Sequence, residues 1–313
     1  MSQALVSVVI PFYKGEQYLE KTIDSVLQQS YNNFELLIVN DGSPNAENSF
    51  FAKLCEKDNR IKVLHKNNGG VACARQFGIA RAKGEFIAFC DQDDLWLPEK
   101  LAKQIPLFHN PRVGLVFCGA IEDHTTEGRK VELPFFNSYR GNIYSSLIHK
   151  NEIVSCTAIA RKSLLVESKA FDTDIELMGV DDWLAWLKMS LICEVDFVEE
   201  YLAIHVFHGE NYSSNEAKMY KAELVCLAKI KPLAQAKSQE QQVNYHQVEA
   251  NIHLRYAESF TYNSDFSSGS AAFLSAASCI QNSRLKCKGL FFKFTPNLIL
   301  LFIQSMMRNM YKT

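Results

Sequence analysis

Three carboxylates and an amide, Asp91-Gln92-Asp93-Asp94, follow directly on the apolar run Phe86-Ile87-Ala88-Phe89-Cys90. Packing gives a buried strand no reason to end this way, and carboxylates so close repel one another unless positive charge lies between them. A divalent cation carrying a phosphorylated ligand meets that need, because hard cations take oxygen ligands and keep positions open for phosphate. Asp93 is the first candidate ligand and Asp94 the second, with a turn cap before Leu95-Trp96-Leu97-Pro98 as the structural alternative for Asp94. A second acidic pair, Asp181-Asp182, opens a stretch that carries Trp186, Leu187 and Met189 at helical spacing. Such a pair can raise one pKa toward neutrality, or simply suit the positive end of a helix.

Strands and helices must position these groups, and the first 120 residues alternate between them. Apolar runs at Leu5 to Ile10, Phe34 to Val39, Ile61 to Leu64, Phe86 to Cys90 and Val113 to Cys118 predict strands. Leu19, Ile23, Val26 and Leu27 recur at helical spacing, and Phe50, Phe51, Leu54 and Cys55 mark a second helix. Val71 to Ala82 is a third, closed by Gly84. Strands separated by helices predict βαβ units and a mainly parallel sheet, whose ligands bind beyond the C-terminal strand ends. Pro11-Phe12-Tyr13, Asn40-Asp41-Gly42-Ser43, Asn68-Gly69-Gly70 and Asp91 to Asp94 all fall there. Further on, residues 121 to 145 read as loop, and Ile153 to Ala160, Val195 to Val198 and Tyr201 to Val206 as strands. Helices are expected near 216–232, 240–262 and 296–311, with a hairpin over 240–282, and a domain boundary falls around 214.

The 313 residues, 47% hydrophobic and 22% charged, suit a globular protein of one large domain with an appendage. A net charge of −2 argues against general nucleic-acid binding. Nine cysteines without CxxC pairs predict reduced thiols and a cytoplasmic setting. No basic region precedes the short apolar run Leu5 to Ile10, which argues against a signal peptide, and no apolar run is long enough to span a bilayer. After Asp265 there are no acidic residues, yet Arg284, Lys286, Lys288, Lys293, Arg308 and Lys312 follow, flanking Leu290-Phe291-Phe292 and Leu298 to Ile303. This basic, aromatic tail reads either as a peripheral membrane contact at the inner face of the plasma membrane or as a helix packed on its own domain.

The ordered motifs resemble those of glycosyltransferase family 2. Val6 to Lys14 resembles its opening "VSVIIPxYN", Ser25 to Tyr31 its "SxLxQxY", and Glu35 to Ser43 its "E(L/I)xIVxDGS". Asn68-Gly69-Gly70 with Ala74-Arg75-Gln76 is similar to "NxGxxxARNxG", and Asp91 to Asp94 to the metal motif. Gly179 to Lys188 resembles "GxEDxxxWxRL", and His208 with Asn211 and Ser213 resembles "YRxHxxNxS". The match is dense over residues 5 to 120 and thinner to 214. Asn40 replaces the first Asp of "DDGS", Gln76 replaces Asn, and Asp181 stands where Glu is usual.

The resemblance implies an α/β protein of GT-A fold. A nucleotide-sugar-binding half (1–120) and an acceptor half (121–214) would make residues 1–214 the catalytic domain, with a helical extension over 215–313. It implies inverting transfer of a hexose-type sugar from a nucleotide-sugar, usually a UDP-sugar, to a glycan or lipid-linked glycan hydroxyl in bacterial cell-surface polysaccharide or lipopolysaccharide synthesis. Pro11 and Tyr13 would line the base and Asp41 accept from it. Arg75 would contact base or diphosphate. Asp91, Gln92 and Asp93 would hold the ribose and diphosphate, and Asp93, Asp94 and His208 would bind Mn2+ or Mg2+. Asp182, beside Asp181, would be the general base, and Trp183 a wall of the acceptor site. Two rivals stand beside this reading. A nucleotidyltransferase would show a Gly-rich basic phosphate loop after the first strand, which Pro11-Phe12-Tyr13-Lys14-Gly15 is not; a non-catalytic nucleotide-sugar binder would show no turnover.

Overall fold

The computed structural model of the chain describes residues 4–44, 47–134, 140–209, 211–237 and 243–295. The chain divides into two compact units, Met1–Ser214 and Asn215–Thr313.

The first unit begins β1 (Val6–Phe12), α1 (Glu16–Leu27), β2 (Phe34–Asn40), α2 (Asn48–Lys57), β3 (Ile61–His65), α3 (Val71–Arg81) and β4 (Phe86–Phe89). These strands lie side by side in the order β3-β2-β1-β4, all parallel, with Val6 opposite both Phe34 and Phe86. Every residue of β1 and β2 is buried, because helices cover both faces. On one face Val6, Val8 and Ile10 pack with Leu19, Ile23 and Val26 of α1, each burial contributing about 1.5–3 kcal/mol. On the other, α3 presses against the sheet at Gly78, where a Cβ would lie 2.7 Å from Val9 Cγ1. Any side chain there would push the helix, and the site at its N-terminus, outward.

The unit continues with β5 (Leu95–Trp96), α4 (Lys100–Gln104), β6 (Val113–His124), β7 (Arg129–Glu132), α5 (Tyr144–Leu147), β8 (Ile159–Arg161), α6 (Lys162–Glu167), α7 (Asp181–Ser190) and β9 (Glu194–Phe207). The sheet extends as β4-β8-β6-β9-β5, with β7 on the edge of β6. Here the pairing is mixed: β8 is antiparallel to β4 and β6, whereas β6 and β9 are parallel.

Three local expectations differ from this. The stretch Ile153 to Ala160 opens as a single 3-10 turn, Ser155–Thr157, before β8, because the Thr157 amide and hydroxyl both return to the Val154 carbonyl. The two strands expected after Glu194 are one, with Glu199 and Glu200 bulged between Val198 and Tyr201; the register with β6 shifts there. Residues 121–124 and 129–132 pair as strands, although Glu122, Asp123 and His124 have little strand preference of their own.

The second unit holds α8 (Glu216–Lys237), α9 (Tyr245–Tyr262), α10 (Phe266–Ile280) and α11 (Ser283–Phe294). Asn244, Asp265 and Asn282 cap α9, α10 and α11 by accepting first-turn amides. Gly269 lets α9 and α10 approach closely, since a Cβ would lie 2.4 Å from Thr261 Cγ2. Helix α11 follows the packed-helix reading of the tail over residues 283–294, for within this unit its Phe292 stacks on Phe266 and Phe273. The helix expected over 296–311, with Leu298 to Ile303, Arg308 and Lys312, lies outside the described residues. Among the described residues no helix is long and apolar enough to cross a membrane.

Candidate active site

The C-terminal ends of β1, β2 and β4, the N-termini of α3 and α7, and the end of β9 enclose a cavity of about 550 Å3. Of the residues expected to do chemistry, Pro11, Tyr13, Asp41, Arg75, Asp91, Gln92, Asp93, Asp181, Asp182 and His208 line it.

The wall at β1 is set by Gln92. Its Oε1 accepts from the Tyr13 amide at 2.9 Å and its Nε2 donates to the Tyr13 carbonyl at 3.2 Å. Its own carbonyl accepts from Thr22 Oγ1 at 2.8 Å. Gln92 therefore serves as a clamp on the β1 loop. Gly15 leaves room for this clamp, because a Cβ there would sit 2.4 Å from the Gln92 side-chain amide and displace it. The Tyr13 ring stays 41% exposed, a platform held by its backbone.

Asp41 is buried, and its carboxylate already accepts from the Gly69 amide at 3.1 Å, the Gly70 amide at 2.7 Å and the Lys66 ammonium. It thus shapes the 68–70 loop and fixes Lys66. Gly70 has φ +88°, a conformation that favours glycine where the loop turns into α3.

Arg75, buried on α3, bridges two carboxylates. It donates from Nη2 to Asp91 Oδ1 and from Nη1 to Asp181 Oδ2, both at 2.6 Å. Burial alone would weaken its hold on the proton, but Asp91, Asp181 and Asp182 reverse this, so the guanidinium stays charged. One cation thereby joins the β4 exit to the start of α7.

Asp93 and His208 meet across the cavity edge, Oδ2 to Nε2 at 2.8 Å. The imidazole stacks on Tyr18 with centroids 4.4 Å apart, and its buried Nδ1 has no hydrogen-bond partner. Burial pushes the Asp93 carboxyl above its ordinary value, against the pull of His208. Asp94 is not brought to the cavity. Its side chain is buried and its Oδ1 accepts from the Val206 amide at 3.0 Å, tying the acidic loop to β9. Burial and the Asp93 and Asp91 charges raise its carboxyl well above the usual range. This geometry removes the support for Asp94 as a cation ligand.

Asp182 sits in the first turn of α7, after Gly179 with φ +92°. Its Oδ1 accepts from the Trp183 amide at 2.6 Å and from Asn151 Nδ2 at 3.3 Å. Burial first, and the neighbouring Asp181 charge second, push its carboxyl up to about 7. A carboxyl poised there can hold or release a proton at neutral pH. Trp183, expected as an acceptor wall, is buried, and its Nε1 donates to the Leu147 carbonyl at 2.8 Å.

Sequence reasoning missed Lys66, Asn151, Tyr18 and Ser155. Ser155 lines the cavity with a buried Oγ that has no hydrogen-bond partner. Its only sequence signal was a serine inside an apolar stretch, and that stretch read as strand.

Residues 7–166 match the model of the family described as glycosyl transferase family 2. A putative teichuronic acid biosynthesis glycosyltransferase, TuaG of Bacillus subtilis, is 32% identical over 69% of this chain and 84% of its own length. By contrast, the chain spans only 32% and 34% of the lengths of two uncharacterized glycosyltransferases of Rickettsia bellii and Rickettsia felis, each 30% identical. Among solved structures, S. aureus TarS 1–349 in complex with UDP-GlcNAc superposes with TM-score 0.66 at 17% identity, covering 97% of this chain and 91% of that one. Mannosyltransferase PcManGT from Pyrobaculum calidifontis, in complex with GDP-Man and Mn2+, gives 0.64 at 19% identity over 97% and 85%. At such identities these structures establish the fold, which is GT-A. The profile match over half the chain and the identity to TuaG place the protein in glycosyl transferase family 2.

Proposed function

We propose that the chain is an inverting glycosyltransferase that moves a sugar from a nucleotide-sugar, with a UDP-sugar as the first choice, to a glycan or lipid-linked glycan hydroxyl. The observation that carries this reading is Asp182, a carboxyl raised to about 7 that lines the same cavity as Asp93 and His208. Inversion needs a base on the face opposite the leaving group, and Asp182 is the group suited to accept the acceptor's proton near neutrality. Asn151 and the Trp183 amide orient it.

The base lies against Tyr13 and Pro11, with Lys66 adding positive charge beside Asp41. Asp91, held by Arg75, faces the ribose and diphosphate. The Asp93 carboxylate and the His208 Nε2 that faces it suit a divalent cation, and the nitrogen donor favours Mn2+ over Mg2+. Asp93 and His208 would hold it. When bound, it supplies charge stabilisation to the departing diphosphate. Such a cation and a nucleotide-sugar stand together in the PcManGT complex, and TarS carries UDP-GlcNAc. TuaG's name points to teichuronic acid biosynthesis, and we take a cell-surface glycan as the acceptor and the cytoplasmic face of the membrane as the place of transfer.

The test is a panel of UDP- and GDP-sugars with Mn2+, scored by nucleoside diphosphate release and by the anomeric configuration of the product. Transfer with inversion supports the proposal, and a retained configuration refutes it. Asp93→Ala should remove metal-dependent donor binding in calorimetry; unchanged activity in chelator-treated enzyme would refute the metal role.

A further inference from the structure

In the second unit three potential ligands of different chemistry converge. The ligand atoms of Glu249 and His253 on α9 and Cys279 on α10 all lie within 4.8 Å of one another, and among the described residues no other such group occurs. We infer that these three side chains form a binding site for a zinc-type transition metal, separate from the catalytic cavity and clasping α9 to the last turn of α10.

Sulfur, nitrogen and oxygen together select a borderline ion such as Zn2+ over Mg2+ or Ca2+. Three protein ligands leave a fourth position for water. His253 is buried and oriented from behind: its Nδ1 lies 2.6 Å from the Tyr220 hydroxyl on α8. With the proton on Nδ1 donated to the Tyr220 oxygen, Nε2 faces the metal, 3.8 Å from Glu249 Oε1. Such outer partners fix the tautomer and ring of metal-bound histidines. Tyr256 and Phe260 wall Tyr220 with aromatic rings, which keeps the inner side dry. The Glu249 side chain is 41% exposed and offers the way in from solvent. Tetrahedral ligand spacing is about 3.5 Å, so binding asks for side-chain shifts of about 1 Å. The Cys279 thiol gives its proton to solvent as the metal–sulfur bond forms.

The probe is Co2+, then Zn2+, added to the full chain. One equivalent of Co2+ should produce a thiolate-to-metal charge-transfer band, and Zn2+ should displace it and raise the melting temperature. Cys279→Ser should abolish the band while leaving donor hydrolysis unchanged, and Tyr220→Phe should weaken Zn2+ about 10–100-fold. Asp93→Ala should keep the band, which separates this site from the catalytic one. Absence of the band in the wild-type protein, or its persistence in Cys279→Ser, overturns the assignment.

Discussion

Buried carboxylates lie at or beyond both ends of the parallel sheet, and two of them, Glu35 and Asp182, are treated oppositely. At the N-terminal end Glu35 accepts from Ser7 Oγ at 2.7 Å, Lys62 Nζ at 2.7 Å and the Lys83 amide at 2.6 Å. The Gly84 amide completes the chain by donating to Ser7. Burial alone would raise the Glu35 carboxyl, yet these partners hold it below its ordinary value. At the C-terminal end one guanidinium serves Asp91 and Asp181, and Asp182 is left with one amide and one asparagine. Its carboxyl rises to about 7. The first arrangement stabilises three strands and a loop. The second leaves charge under-compensated, which destabilises the fold but provides a group able to exchange a proton.

The contrast breaks most sharply at Asp182. Asp182→Asn should lower turnover by about 10²–10⁴-fold with donor binding near normal by calorimetry. It should also melt no lower than the wild type at pH 7.5 or above. The sign follows from linkage: a carboxyl with a raised folded pKa costs stability as pH climbs from the unfolded value to about 7, and the amide removes that cost. A variant that unfolds instead would mean Asp182 serves only the helix.

Glu35→Ala should do the reverse. It strands the Ser7 hydroxyl and the Lys83 amide, costing about 2–4 kcal/mol of stability, while the donor KM of folded enzyme stays put. Denaturant melts and steady-state kinetics measure both. Because its folded pKa is lowered, the Glu35 contribution is present above the unfolded value and fades as pH falls through the folded one. Urea midpoints of wild type and Glu35→Ala should therefore converge in acid. The smallest effect concerns residues 296–313: their deletion should reduce sedimentation with anionic vesicles and spare donor hydrolysis, and an unchanged sedimenting fraction would sink the membrane-contact proposal.

The strand–helix alternation of residues 5–90 was readable because β-branched runs buried on both faces leave a plain signal, and the polar strand exits follow from the parallel topology. The β6–β7 pairing and the Glu199-Glu200 bulge were not readable, because tertiary pairing there overrides local preference. At the site, the acidic clusters were visible and Asp93 ranked ahead of Asp94, but the partner that takes Asp94 out of the cavity was not visible. Asp93 and Asp94 are neighbours of one type, and only the approach of Val206 turns Asp94 inward. Likewise Arg75 read as a ligand contact, and its two long-range carboxylate partners could not be seen from spacing.

The most direct measurement is turnover against pH, followed as nucleoside diphosphate release from the preferred donor with Mn2+, for the wild type and Asp182→Asn. The account predicts a wild-type rate that rises with an inflection near 7 and a variant whose residual rate lacks that inflection. The same inflection in Asp182→Asn, at undiminished rate, would contradict it.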